Sequence, residues 1–292
     1  MNLNHVIFAI FVLLIVLSYV KNFLIYYPHK VTLYKYASFH DRVKKLVEVE
    51  DYVISAFVKT TDNIFLDTLY VKNPDSDKCI IFFHGNAGNL TMRYDMINFL
   101  YTYASVLIFD YRSYGRSDGY VIFSSDVSMQ TDSDAIWSYC VNVLKYSPSK
   151  ISLFGESLGC AAALKLSAEL CKSFESDSYP HSVVLNAPFY SLGSMIRVIF
   201  EKLRMGFVGN FFSMIYGSEY KSDMLIQCIN PQVKIIIAHS LHDEIIPYAE
   251  GFKLYKLVSD THPNIKFINI SGSHNNLYLT DAYIYALSAA YE

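Results

Sequence analysis

The sequence predicts an α/β architecture, a mostly parallel sheet flanked by helices, and three observations carry that prediction. Short apolar strands recur along the chain, each followed by a longer amphipathic stretch. The strands read as unbroken apolar runs, not as alternating ones, which is the pattern of strands buried on both faces. The chain has 292 residues, 52% of them hydrophobic, enough for one large domain with a sizeable core and an appendage. Charged residues make up 17% and the formal net charge is -3. High hydrophobicity with little net charge excludes disorder. The absence of a Lys/Arg run argues against a nucleic-acid partner.

The first element is an apolar run. From Met1 to Val20 no side chain is charged apart from the titratable His5, and extension to Tyr27 adds only Lys21. Roughly 20 apolar residues span a bilayer as a helix, and this segment supplies them. Tyr19, Tyr26 and Tyr27 stand where interfacial aromatics are expected. Residues 1–27 are therefore expected to form a transmembrane anchor, with the lipid bilayer as partner, and 28–292 the main domain. A cleaved signal peptide would have a basic start and a small-x-small cleavage site, and neither is visible. A buried core helix would show a polar face, which this run lacks. Lys21, Lys30 and Lys35 follow the span, so positive-inside reasoning favours a single-pass membrane protein with a cytosolic domain over a lumenal one. The five cysteines are odd in number and scattered, with no disulfide framework or metal pair among them. Two sequons, at Asn89 and Asn269, fall beside the active-site loops described next and are read as unmodified.

Residues 49–58 and 64–71 are β-rich runs around the turn Thr60-Thr-Asp-Asn63, the signature of an antiparallel hairpin. Strand 79–83 then leads to a helix near 90–103, strand 105–109 to a helix near 126–144, and strand 150–154 to a helix near 158–171. Residues 182–186, 233–238 and 266–270 are further strands, and 278–291 a final helix. Residues 188–229 break this rhythm. Some forty residues, rich in Phe, Met and Ile, separate two strands, and they are expected to form a small helical cap; an elaborate crossover is the plainer alternative. In parallel sheets active residues gather at the carboxyl ends of the strands, so the loops there hold the candidates.

Gly155-Glu-Ser-Leu-Gly159 fits G-x-S-x-G, with a strand before it and a strong helix former after it. Ser157 on such a tight turn is exposed above the sheet as a nucleophile, and the helix N-terminus adds positive partial charge where an oxyanion forms. The bland alternative is a serine capping its helix. A serine hydroxyl needs a base, and the base a carboxylate. Asp243 follows strand 233–238 in His239-Ser-Leu-His-Asp-Glu244, and His274 follows strand 266–270, giving the order Ser, Asp, His. Glu244 competes with Asp243, and His242 with His274. His239, His242, Asp243 and Glu244 could also be imagined as a metal cluster, but no HExxH motif or Cys pair supports a metal. Directly after strand 79–83, Phe83-His-Gly-Asn-Ala-Gly-Asn89 can offer a backbone N–H to an oxyanion. By position the N–H groups of Asn86 and Leu158 form the pair.

Taken together, His84-Gly-Asn-Ala-Gly-Asn89, Asp110-Tyr-Arg-Ser-Tyr-Gly-Arg-Ser117, Gly155-Glu-Ser-Leu-Gly159, Asp243-Glu-Ile-Ile-Pro247 and Gly272-Ser-His-Asn275 resemble the α/β-hydrolase fold, and more narrowly the membrane-anchored Bem46/ABHD13-type serine hydrolases. The resemblance runs from about residue 79 to the end and includes the anchor. It implies a Ser157/Asp243/His274 triad, no cofactor, and hydrolysis of esters or thioesters. It also makes Asp110–Ser117 a structural loop. Cys160 stands where relatives often have Gly, and the cap matches poorly. An apolar cap and a tether suit acyl-containing, lipid-like substrates handled through an acyl-enzyme. A catalytically idle membrane-anchored scaffold and a serine peptidase of the same fold are the alternatives.

Overall fold

In the computed structural model the described residues are 5, 7, 8, 22, 25–47, 49–121, 124–172, 178–278 and 280–291. In chain order the strands and helices are β1 (Tyr27–Pro28), α1 (Leu33–Lys44), β2 (Val53–Lys59), β3 (Phe65–Val71), β4 (Cys79–Phe83), β5 (Ala87–Gly88), α2 (Tyr94–Tyr101), β6 (Ser105–Phe109), α3 (Asp126–Asn142), β7 (Ile151–Glu156), α4 (Leu158–Leu170), β8 (Ser182–Asn186), α5 (Leu192–Lys202), α6 (Gly206–Tyr216), α7 (Ser222–Ile226), β9 (Lys234–Ser240), α8 (Tyr248–Val258), β10 (Ile265–Ser273), β11 (Asn276–Tyr278) and α9 (Asp281–Tyr291).

Nine strands form one sheet in the order β11-β10-β9-β8-β7-β4-β6-β3-β2. Its centre is parallel from β10 to β6, and its edges are the antiparallel pairs β10/β11, β3/β6 and β2/β3. The central strands are apolar throughout because alternate residues enter two separate cores. Cys79, Ile81 and Phe83 of β4, with Leu153, Val183, Leu185, Ile235 and Ile237, pack on one face with residues of α3, α4 and α8. Ile80 and Phe82, with Phe154, Val184 and Ile236, pack on the other with α1, α2 and α9.

The chain reverses its direction of winding at β4, because β6 lies on one side of it and β7 on the other. Loops leaving β4 and β7 therefore diverge there, which opens a crevice at the carboxyl ends of the strands.

The expected antiparallel hairpin is β2/β3, with Val58 paired to Leu66. The helix expected near 90–103 is shorter, because Asn89 caps a single 3-10 turn before α2 begins at Tyr94. The helix expected from 278 begins at Asp281, because Asn276–Tyr278 turns back as β11 against β10. Two helices were not expected from the sequence. Thr32 caps α1, which buries Tyr36, Phe39 and Val43, and α8 buries Leu254 and Val258. The stretch 188–229, expected to form a cap, carries α5, α6 and α7 between β8 and β9. The proposed transmembrane segment, 1–27, lies mostly outside the described residues, and at its end Tyr26 is buried and Tyr27 begins β1. Among the described residues no helix is long and apolar enough to cross a membrane.

Candidate active site

Ser157 occupies the sharp turn between β7 and α4, with φ 51° and ψ -116°. A non-glycine residue there is strained by about 1–3 kcal/mol, so the surroundings must hold it. They do so through backbone: the Ser157 N–H donates to Asn186 O (2.9 Å) and Ser157 O accepts from the Cys160 N–H (3.0 Å). The two glycines are close-approach residues. A Cβ on Gly155 would stand 2.7 Å from Cys160 Cα, and one on Gly159 would stand 2.6 Å from the Phe83 carbonyl carbon. Cys160 is buried, and its thiol lies 3.2 Å from both Gly155 O and Asn186 O. It therefore serves packing beneath the turn.

His274 sits with Asn275 at the tip of the hairpin that joins β10 to β11, where Ser273 pairs with Asn276. Its Nε2 accepts from Ser157 Oγ at 3.2 Å, and its Nδ1–H donates to Asp243 Oδ2 at 2.7 Å. Asp243 lies in the loop after β9. Its other oxygen accepts the N–H groups of Ile245 (2.9 Å) and Ile246 (2.8 Å), which fixes the carboxylate. Burial alone would push this carboxyl up; interactions with His239 and His274 and the Ile246 amide outweigh it and hold it well below the usual carboxylate range. His239 Nε2 stands 3.6 Å from Asp243 Oδ2 and 2.9 Å from Ile246 O.

The two competitors are separated from this line. Glu244 Oε2 accepts the backbone N–H of His274 (3.0 Å) and does not reach its ring. His242 is exposed, and its backbone N–H donates to Ser240 Oγ (3.1 Å). Among the described residues no group of three or more His, Cys, Asp or Glu side chains could hold a metal ion.

The loop after β4 lies against the serine turn, since a Cβ on Gly85 would stand 3.5 Å from Ser157 Cβ. That places Asn86 beside the nucleophile. Leu158 is the first residue of α4, so its N–H has no acceptor within the helix. His84 is fully buried, with Nδ1 2.7 Å from Gly85 O and Nε2 3.3 Å from Asp110 Oδ1.

No family model matches the chain. Among curated proteins it is 52% identical over 272 residues to the uncharacterized protein R595 of Acanthamoeba polyphaga mimivirus, covering 93% of this chain and 92% of that one. It is 26% identical over 237 residues to protein bem46 of Schizosaccharomyces pombe, covering 79% and 74% of the two chains. It is 26% identical over 214 residues to the lysophosphatidylserine lipase ABHD12 of Danio rerio, covering 68% and 53%. Among solved structures it superposes on an α/β hydrolase from Vibrio vulnificus with a TM-score of 0.78 at 17% identity, covering 94% and 93%. An esterase from Pyrococcus furiosus follows with 0.64 at 19% identity, covering 91% and 94%.

The chain has the α/β-hydrolase fold and is a homologue of the Bem46 and ABHD12 proteins.

Within this α/β-hydrolase fold the Asp110–Ser117 run is a brace. Asp110 Oδ1 accepts the Leu90 N–H (2.7 Å), and Ser117 Oγ donates to Asp110 O (2.7 Å). Arg112 is bonded to Asp132 and Asp62, and Arg116 to Asp67. Sequence reasoning weighed His239 only as a metal ligand, whereas it lies buried beside Asp243, and it missed Tyr114, whose hydroxyl donates to Asn86 Oδ1 at 2.9 Å. His239 is four residues from its partner in sequence. Tyr114 reaches its partner only through the fold, although it lies in a run the resemblance singles out.

Proposed function

We propose that this protein is a serine hydrolase that cleaves ester or thioester bonds through an acyl-enzyme, on lipid-like or acylated substrates. The observation that carries the reading is the unbroken relay from Ser157 Oγ to His274 to Asp243, at 3.2 and 2.7 Å, at the carboxyl ends of the central strands. Ser157 Oγ attacks the acyl carbonyl while His274 Nε2 takes its proton. Asp243 keeps the other imidazole proton on Nδ1 and stabilises the imidazolium. The Asn86 and Leu158 N–H groups receive the oxyanion, and losing one such donor costs about 100-fold or more in kcat. His274 then returns the proton to the leaving oxygen or sulfur. Water, deprotonated by His274, releases the acid and restores Ser157.

The esterase and lipase names among the similar proteins support the ester class. The apolar run at 1–27 supports a single-pass tether, and the lysines after it support a cytosolic catalytic domain. Residues 28–292 would then form the catalytic domain, with 188–229 capping it.

The test is a p-nitrophenyl ester series with a fluorophosphonate probe. Parent protein turns over and is labelled, whereas Ser157→Ala is unlabelled and Ser157→Ala and His274→Ala both fall by about 10⁴ or more in kcat. Labelling of Ser157→Ala as strong as the parent's would sink the assignment. No turnover on any ester would favour the idle scaffold.

A further inference from the structure

The run just after the apolar segment is stitched to the loop that carries Asn86. β1 pairs in parallel with β5, Tyr27 against Ala87 and Pro28 against Gly88. The His29 N–H donates to Gly88 O (3.2 Å), and Asn89 Nδ2 donates to His29 O (2.8 Å). At the centre of this seam Asn86 Oδ1 accepts two hydrogen bonds. One comes from the Tyr27 backbone N–H (3.1 Å), the other from the Tyr114 hydroxyl (2.9 Å). The two donors come from opposite sides in sequence, one from the membrane-proximal strand and one from the Asp110–Ser117 brace.

Both donors are themselves fixed. Tyr26, next to Tyr27, is buried, and its hydroxyl bonds that of Tyr220, which reaches Met129 Sδ (2.8 Å). Tyr114 is buried with its ring against His84 (5.5 Å) and Tyr111 (5.8 Å). A side chain held at one atom by two fixed donors has little freedom, and its own peptide shares that restraint.

We infer that Tyr114 and the Tyr27 N–H are positioning groups for the oxyanion hole. They hold the Asn86 side chain, and through it the Asn86 N–H, aimed at the developing oxyanion. The inference rests on the serine-hydrolase reading and adds to it two groups that never touch substrate. Because an aimed donor matters only where charge develops, its loss lowers kcat and leaves KM almost unchanged.

The test uses the full chain. Tyr114→Phe keeps the ring and removes one donor. Tyr27→Pro removes the other, and Tyr27→Ala keeps the N–H while removing a side chain that is half exposed. Tyr114→Phe and Tyr27→Pro each lower kcat on a p-nitrophenyl ester, and the rate of fluorophosphonate labelling, by about tenfold, a part of what outright loss of a donor costs. KM stays within about twofold, since uniform binding is untouched, and the loss in kcat is smaller for Tyr27→Ala than for Tyr27→Pro. Active-site titration counts folded sites, so kcat is read per competent molecule. The inference is overturned if Tyr114→Phe keeps the parent kcat per titrated site, or if its defect lies in KM. Turnover that survives Ser157→Ala would instead remove the underlying hydrolase reading, and this inference with it.

Discussion

The serine turn and the helices α5 and α6 are built on opposite terms. Around Ser157 the neighbours are mostly backbone: Asn186 O, the Cys160 N–H, and the Phe83 carbonyl beneath Gly159. Backbone cannot choose another rotamer, so the turn has one arrangement. In α5 and α6 several large apolar side chains face outward, with Phe207 and Met214 more than four-fifths exposed, while α5 buries Leu192 and Met195. What ties this pair together is side-chain contact, such as Phe200 stacked on Phe212 and Arg197 Nη1 on Ser213 Oγ (2.5 Å). One of its ties to the loop after β9 is a lysine, with Lys202 Nζ donating to Glu244 O (2.7 Å). The difference teaches where this fold can vary. The proposed nucleophile is pinned by main chain, while the surface proposed to meet a substrate's body is pinned by replaceable side chains.

The sharpest way to break the contrast is at glycine. Gly159→Ala drives a methyl into the Phe83 and His84 carbonyls. It is expected to cost about 3 kcal/mol or more, as overpacking against rigid neighbours does. A urea midpoint within error of the parent's would contradict a main-chain-locked turn.

Asp243→Asn comes next. Asparagine favours the wrong imidazole tautomer, so kcat is expected to fall by about 10⁴ with the fold intact. The same residue links stability to acid. Its folded carboxyl lies below the unfolded value of about 3.9, so the charged form stabilises the fold above that pH. The contribution fades as pH falls through the lower folded value. The stability gap between parent and Asp243→Asn, measured by urea titration, should therefore narrow below about pH 4. A gap that stays constant from neutrality into that acid range would count against the depressed carboxyl.

The smallest effect belongs to α6. Nothing lies within 4 Å of a Cβ placed on Gly206, and its φ is outside the left-handed range. Gly206→Ala should stabilise by about 0.5 kcal/mol through lower unfolded-state entropy, with activity unchanged. Thermal unfolding of the single variant checks it, and a destabilisation would show that the helix is as tightly constrained as the serine turn.

Much of this was legible in the residues. The central strands announce themselves because burial on both faces leaves no polar position in them, and Ser157, Asp243 and His274 each follow such a strand. The structure brings those three side chains together in the order the sequence implied. α8 was illegible for a reason that is itself structural. Gly251 interrupts its pattern, and it is there because a Cβ would press on the His239 ring. Local helix preference was given up to make room for a residue beside the Asp243 loop. α1 was obscured by the apolar run before it, and β11 by being only three residues long. The grip on Asn86 could not be read at all, because its donors lie 59 and 28 residues away in sequence.

The buried Tyr26 ring also fixes where this chain can be shortened. A trimmed form that begins at residue 28, the boundary hydropathy suggests, discards both the tyrosine that bonds Tyr220 and the N–H that bonds Asn86. One that begins at Asn22 keeps both, together with the Asn22 carbonyl that accepts the Tyr26 N–H at 2.9 Å. For anyone shortening the chain, the six residues 22–27 decide whether the buried Tyr26 and the hydrogen bond to Asn86 are kept.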